Sequence, residues 1–380
     1  MRVCLVYDCL FPHTVGGAER WYRNLAERLA AEGHAVTYVT LRQWPRGEDP
    51  GVRGVRVVAA GPRMELYAGP GRRRILPPLV FGLGVLWHLL RHGRGYDVVH
   101  TASFPYFSLL AAAVVRPLAR YGLVVDWHEV WTRAYWEEYL GRLGGRIGWG
   151  VQLLCARVPQ RAFCFSRLHA RRLVAEGLRG DPRVLEGEYA GPLTTAPAVA
   201  AQPVVVFAGR HIPEKRVPVL VDAFALVHAA RPELRLALYG DGPEFAEVGR
   251  RIGVHGLSNV AVQHGFVSGE EVEAALSSAA CHVLPSRREG YGLVVVEAAS
   301  RGTPSVVAAD PDSAATELIA EGENGYVAAS GDPADLAAAI IRVVDAGEPL
   351  RERTRAWFAT NARRLSLGES LEVVVRSYAR

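Results

Sequence analysis

Short apolar runs alternate with helix-length stretches twice along this 380-residue chain, and one break separates the two series. In the first series the apolar runs lie at residues 3–7, 35–40, 55–59, 97–101, 123–127 and 162–165. Between the first two, residues 18–30 carry Trp21, Leu25 and Leu29 on one helical face. Residues 190–203 are small, rich in proline and uncharged, the composition of a linker. The second series resumes at 204–208, 234–239, 260–263, 281–284 and 305–308. Strands spaced by helices in this way bury a parallel sheet between two helical layers. The length exceeds one comfortable core. The pattern therefore predicts an α/β protein of two Rossmann-like, doubly wound parallel-sheet domains. Ligands of such sheets bind beyond the carboxyl ends of the strands, so two such edges facing across a cleft are the expected site.

Charge is divided unevenly. Residues 1–190 hold 26 basic and 16 acidic side chains, whereas residues 191–380 hold 18 and 23. A basic first half points to an anionic partner. No nucleic-acid-binding motif accompanies it, so nucleic acid is not the expected partner. A membrane surface fits better. The segment from Arg72 to Arg91 is apolar, flanked by arginines and broken by Pro77-Pro78, too short and interrupted to span a bilayer. It suits the bilayer interface, with Trp87 at headgroup depth. It equally suits a helix covering a sheet face. The five cysteines, Cys4, Cys9, Cys155, Cys164 and Cys281, lack metal or redox spacing and read as reduced core thiols. A strand beginning at Arg2 leaves no room for a leader. Both readings give a cytoplasmic protein, peripheral on the inner membrane face if the interfacial segment is used.

Of the 44 basic residues one is lysine, Lys215; the rest are arginine. A position that keeps a compact ammonium against that background is a candidate for chemistry that a planar guanidinium does not serve. The alternative is a chance survivor on a wet loop. Lys215 follows an apolar strand and Gly209-Arg210, and precedes an apolar helix. A strand, a glycine turn and two cations at a helix entrance make a cradle for an anion such as a diphosphate. In the first half, Gly16-Gly17 opens the first helix after Tyr7-Asp8. Paired glycines admit close backbone approach, but the GxGxxG pattern of a nicotinamide site is missing. Asp126-Trp127-His128-Glu129 follows a strand and could hold sugar hydroxyls or a proton. The plainer reading of His128 is a hydrogen-bonded structural histidine. The densest local pattern is Glu289-Gly290-Tyr291-Gly292-Leu293, with Glu297 on the helix that follows. Backbone N–H groups near Gly292 and Leu293 would face a phosphate. Glu297 is either a wet-side carboxylate or a ligand group in apolar surroundings, where an unpaired charge is costly.

Gly16-Gly17, His128, Gly209-Arg210 with Lys215, and Glu289 with Glu297 eight residues on together resemble the signature of the GT-B retaining glycosyltransferases of family 4. Gly240-Asp241-Gly242-Pro243-Glu244, His264-Gly265-Phe266-Val267 and Glu317 to Gly325 fall where that family has similar segments. The resemblance implies a GT-B fold, with domains at 1–190 and 203–361 and residues from about 362 to 380 crossing back to the first. It implies transfer of a hexose-type sugar from a UDP- or GDP-linked donor to an acceptor that is lipid-linked or a growing glycan, with no metal and no further cofactor. Arg210 and Lys215 would hold the diphosphate, Glu289 the sugar hydroxyls and Glu297 the ribose. The Phe266-Val267 backbone would meet the base, His128 the sugar, and Gly16-Gly17 the phosphates or acceptor. One departure stands out: Asp310-Pro311-Asp312-Ser313 precedes Glu317 where the family commonly has a glycine pair. Its Asp-x-Asp string reads as a coincidence and not as a metal site. Two other readings compete. A phosphorylase-type enzyme would use the lone lysine to hold pyridoxal phosphate, and a non-catalytic subunit would only bind a nucleotide sugar.

Overall fold

The computed structural model describes residues 1–69 and 72–378. The chain divides into two compact units, one of Met1–Leu185 with the chain from Ser370 onward, the other of Glu186–Glu369.

In the first unit, β1 (Arg2–Val6), α1 (Gly17–Ala31), β2 (Ala35–Leu41) and β3 (Val55–Gly61) come first. A short antiparallel pair, β4 (Tyr67–Gly69) and β5 (Arg72–Arg73), precedes α2 (Leu76–His92). Then follow β6 (Val98–Ala102), α3 (Tyr106–Ala119), β7 (Gly122–Trp127), α4 (Arg133–Ala156), β8 (Arg161–Cys164), α5 (Arg167–Ala175) and β9 (Arg183–Val184). The main sheet is parallel with order β3-β2-β1-β6-β7-β8-β9. Crossovers to one side of β1 and then to the other put the topological switch between β1 and β6. The loops that leave β1 and β6 therefore border the crevice where such sheets take ligands.

The second unit repeats the plan. Its elements are β10 (Gln202–Ala208), α6 (Val217–Ala230), β11 (Arg235–Tyr239), α7 (Phe245–Val254), β12 (Ala261–Gly265), α8 (Gly269–Ser278), β13 (Ala279–Leu284), β14 (Arg288–Glu289), α9 (Leu293–Ser300), β15 (Ser305–Ala308), β16 (Asp312–Ser313), β17 (Gly325–Ala328) and α10 (Pro333–Asn361). The parallel order β12-β11-β10-β13-β15-β17 puts the switch between β10 and β13. Alternation along β10 decides the layers: Val205 and Phe207 pack with Val217, Phe224 and Ile340 on one face. Val206 and Ala208 pack with Leu276 and Ala298 on the other. A last helix, α11 (Leu367–Tyr378), begins in the second unit and ends in the first.

The proline-rich stretch 190–203 runs along the second unit. Ala196 N–H donates to Ser300 O at 3.0 Å, and Val199 O accepts from the buried Arg351 at 3.3 Å. Helix α2 is apolar on both faces. Phe81, Val85 and Leu89 are buried, while Leu76, Leu83, Trp87 and Leu90 are each more than half exposed. Among the described residues no helix is long and apolar enough to cross a membrane. The side chains of Arg72 and Arg73, which flank this segment in the sequence, lie outside the described residues.

Candidate functional site

The sheet switch of the second unit gathers most of the charged residues picked out by sequence. Gly240 lies at φ +120°, and a Cβ there would overlap the carbonyl oxygen of Gly209. Gly209 N–H donates to Tyr239 O at 3.0 Å, and Gly240 N–H donates to Gly265 O at 2.7 Å. The carboxyl ends of β10, β11 and β12 thus form one backbone ledge, closed to a side chain at Gly240. From it the chain runs through exposed Arg210 and buried His211 to a 3-10 turn, Pro213–Lys215. His211 stacks on Phe245 at 5.4 Å, and burial holds its ring below the usual histidine range.

Lys215 Nζ forms an ion pair with Glu289 Oε1, which also accepts from Ser286 Oγ at 2.8 Å. Glu289 is 9% exposed. A carboxylate this buried is costly without such partners. Arg287 N–H donates to Glu214 O at 2.8 Å and ties the loop after β13 to the loop after β10. The strand pairing of Arg288–Glu289 with Asp312–Ser313 brings in a third loop, the one after β15. Beneath these groups lies His282, fully buried in β13, with Nδ1 2.9 Å from Ser305 Oγ. Burial first, and the Lys215 charge second, hold its ring down to about 3. The floor of the site is therefore neutral, and Lys215 carries the local positive charge undiminished by a protonated neighbour.

Gly292 caps α9 at φ +102°, and a Cβ there would lie 2.7 Å from that of Ala315. The first turn of α9 presents backbone N–H groups without helical partners, as any helix start does. Leu293 begins the helix, and Glu297 lies one turn in, partly buried. Tyr291 turns away: its hydroxyl donates to Glu186 O at 2.7 Å, so its ring is a packing element. Phe266 is 85% exposed. Asp310 accepts from Asp312 N–H at 3.1 Å and pairs with Arg216 at 3.2 Å, so the Asp-x-Asp string is folded on itself and on an arginine. A cavity of about 1020 Å³ borders that pair, lined by Arg216, Asp222, Asp310, Thr316, Ser330 and Asp332; Arg210, Lys215 and Glu289 do not line it.

In the first unit, Gly16 is extended at the start of α1, with the carboxylate of Glu19 against its α-carbon, and Gly17 is open on its side-chain face. His128 follows β7 and stacks on Phe165 at 4.2 Å and 11°. Its Nε2 is buried without a hydrogen-bond partner among the described residues, and burial holds the ring below the usual range. The hydrogen-bonded structural histidine expected as the plainer reading is instead a stacked, neutral one. Asp126 departs from expectation: it points inward and is fully buried. Trp21 Nε1 donates to its Oδ2 at 2.7 Å, and His100 Nε2 lies 2.8 Å from its Oδ1. Burial alone would push this carboxyl up. The nearby His100 ring, with the Trp21 hydrogen bond, outweighs burial and holds it below the usual carboxylate range. His100 Nδ1 in turn meets the Tyr378 hydroxyl at 2.6 Å. Glu129 accepts from Trp131 Nε1 at 2.7 Å.

Sequence reasoning missed His100, Tyr378 and Ser286, and named Ser313 only as the end of the Asp310–Ser313 departure. A histidine within the apolar run 97–101 was a signal for His100. Nothing local marked Tyr378 or Ser286.

Sequence models of two families match. "Glycosyl transferases group 1" covers residues 197–364 and "Glycosyltransferase Family 4" covers 15–186. The chain is 33% identical to a phosphatidyl-myo-inositol mannosyltransferase of Mycobacterium leprae, over all of this chain and 96% of that one. It is 32% identical to a D-inositol 3-phosphate glycosyltransferase of a Nocardioides species, over 96% and 85%. Among solved structures, Anabaena HepE in complex with UDP-glucose superposes with a TM-score of 0.75 at 18% identity, over 100% and 99% of the two chains. That likeness shows the fold, two Rossmann-like units of the GT-B type.

Proposed function

The chain belongs to glycosyltransferase family 4, and from that premise we propose that it moves a hexose from a UDP- or GDP-linked sugar to a polyol-phosphate or lipid-linked acceptor with retention of anomeric configuration. The observation that carries this reading is the Lys215–Glu289 pair at the switch point of the second sheet, beside the Gly292-capped start of α9. An ammonium and backbone N–H groups suit a diphosphate, and a buried carboxylate suits sugar hydroxyls. Arg210 and Lys215 take the diphosphate and offset its charge as it leaves, a contribution of about 3 kcal/mol per group in such sites. Glu289 orients the sugar, Glu297 takes the ribose hydroxyls, and the Phe266-Val267 backbone meets the base. From the first unit, His128 serves the sugar and Gly16-Gly17 the phosphates or acceptor. The bond from the anomeric carbon to the diphosphate breaks, a bond to the acceptor oxygen forms on the same face, and a diphosphate oxygen takes the acceptor's proton. No pair of acid and base carboxylates is required for that course, and no metal, because the cations neutralise the leaving group.

Two observations support a lipid-linked acceptor at an anionic membrane face. One relative is named for phosphatidyl-myo-inositol. In this chain Leu76, Leu83, Trp87 and Leu90 face outward on α2, with the Arg91 guanidinium over the Trp87 ring.

Calorimetric titration with UDP, GDP and ADP in the presence of a chelator tests the donor reading. One nucleotide should bind with micromolar affinity, and Lys215→Ala should weaken it by at least tenfold. Binding of none of the three would sink the proposal. Anomeric NMR of the product tests retention.

A further inference from the structure

Ser313 is 3% exposed. Its backbone is fully used: N–H donates to Asp310 O at 3.0 Å, and its carbonyl accepts from Thr316 Oγ1 at 3.3 Å. Its hydroxyl is buried and has no hydrogen-bond partner among the described residues. Buried hydroxyls without partners are costly and rare, and each needs an explanation. The position supplies one. Ser313 is the direct ladder partner of Glu289, and residues in register across a ladder project to the same face. Lys215 and Ser286 both engage Oε1 of Glu289, which leaves Oε2 for a ligand. Ala315, two residues on, packs against Gly292 at the mouth of α9. Ser313 therefore lies across the ladder from Glu289, in the segment where this chain carries Asp310-Pro311-Asp312-Ser313 in place of the family's glycine pair.

We propose that Ser313 Oγ is a specificity-determining ligand of the donor sugar. It hydrogen-bonds a hydroxyl of the sugar that Glu289 holds, and so selects among epimers. The inference rests on the donor reading above. A glycine offers no such group, so the selection is particular to chains with a hydroxyl here. Glu289 fixes that a sugar binds; Ser313 contributes to which one.

The experiment titrates wild type, Ser313→Ala and Ser313→Gly with UDP, UDP-glucose, UDP-galactose, GDP and GDP-mannose, and records the thermal midpoint of each free protein. In both variants the nucleoside diphosphate should bind within twofold of wild type. The preferred nucleotide sugar should lose roughly tenfold in affinity, as expected for one hydrogen bond, and the preference among sugars should narrow accordingly. Removal of an unsatisfied hydroxyl should leave the midpoint of Ser313→Ala unchanged or raised. Wild-type sugar preference in both variants would overturn the proposal. So would an equal loss for nucleotide and nucleotide sugar, which would mark a purely structural serine. If wild type binds no nucleotide at all, the donor reading itself fails, and Ser313 with it.

Discussion

His282 shows how a single buried side chain sets conditions for the site above it. Its ring is held near pKa 3 in the folded chain, against an ordinary value of 6.5. As pH falls, the unfolded chain takes the proton first, so stability from this residue is complete above about pH 6.5 and is lost as pH drops toward 3. The loss amounts to roughly 3–5 kcal/mol at the acid end. Urea unfolding across that window should show the decline, and His282→Gln should flatten it. A slope equal to wild type in the variant would place the acid sensitivity elsewhere. Protonation would also set a second positive charge under Lys215. In the folded chain this happens only near pH 3, after most exposed carboxylates have taken protons. Sequence marked Lys215 because it is alone of its kind. It could not mark His282, which looks like any polar residue in a strand until the fold buries it.

At the scale of elements, α2 displays two apolar faces for two reasons. Its inward face is ordinary: Phe81, Val85 and Leu89 sit in the core, and Gly84 lets the helix touch the Ala60 backbone, where a Cβ would overlap the carbonyl oxygen. Its outward face has no such need, because exposed leucine and tryptophan gain nothing from water. Covering the sheet, one of the two uses weighed from sequence, takes the inward side, and the outward side is the one left for the bilayer contact proposed above. Replacing Leu83 and Trp87 by glutamate should reduce sedimentation with phosphatidylglycerol vesicles by at least tenfold and leave nucleotide affinity unchanged. Binding should also fall steeply with salt, since arginine contacts to anionic headgroups are screened. A wild-type protein that stays in the supernatant at low salt would point to a soluble acceptor. The helix itself was legible in the apolar run after Pro77-Pro78. Which residues face out depended on α3, against whose Phe107 the helix closes at Gly82.

For the molecule as a whole, the return of α11 matters most. Tyr378 is buried in the first unit on the ring of His100, which holds Asp126, which holds Trp21 of α1. One buried chain of polar contacts, two hydrogen bonds and the His100–Asp126 pair, thereby links the last helix, two central strands and the first helix. Such networks are stable only when complete, because a stranded buried partner is costly. Tyr378→Ala should cost about 3 kcal/mol, confined to the first unit. Hydrogen exchange should report faster opening there and unchanged protection around β10 and β13. Uniform loss, or none, would show that the return is dispensable. The primary sequence by itself determined what depends on local pattern: two series of strands and helices, glycines where backbones meet, and a lone lysine with charged and glycine-rich partners. Periodicity and residue chemistry act over a few positions, so they survive in the linear string. The tertiary structure alone decided what depends on distant residues meeting. It turned Asp126 inward, set Ser313 beside Glu289, laid residues 190–203 along the second unit, and formed β17 from four residues whose opening Gly325 fits only against Ser305. Burial and pairing belong to no single segment, and it is they that fix charge, hydrogen bonding and reach.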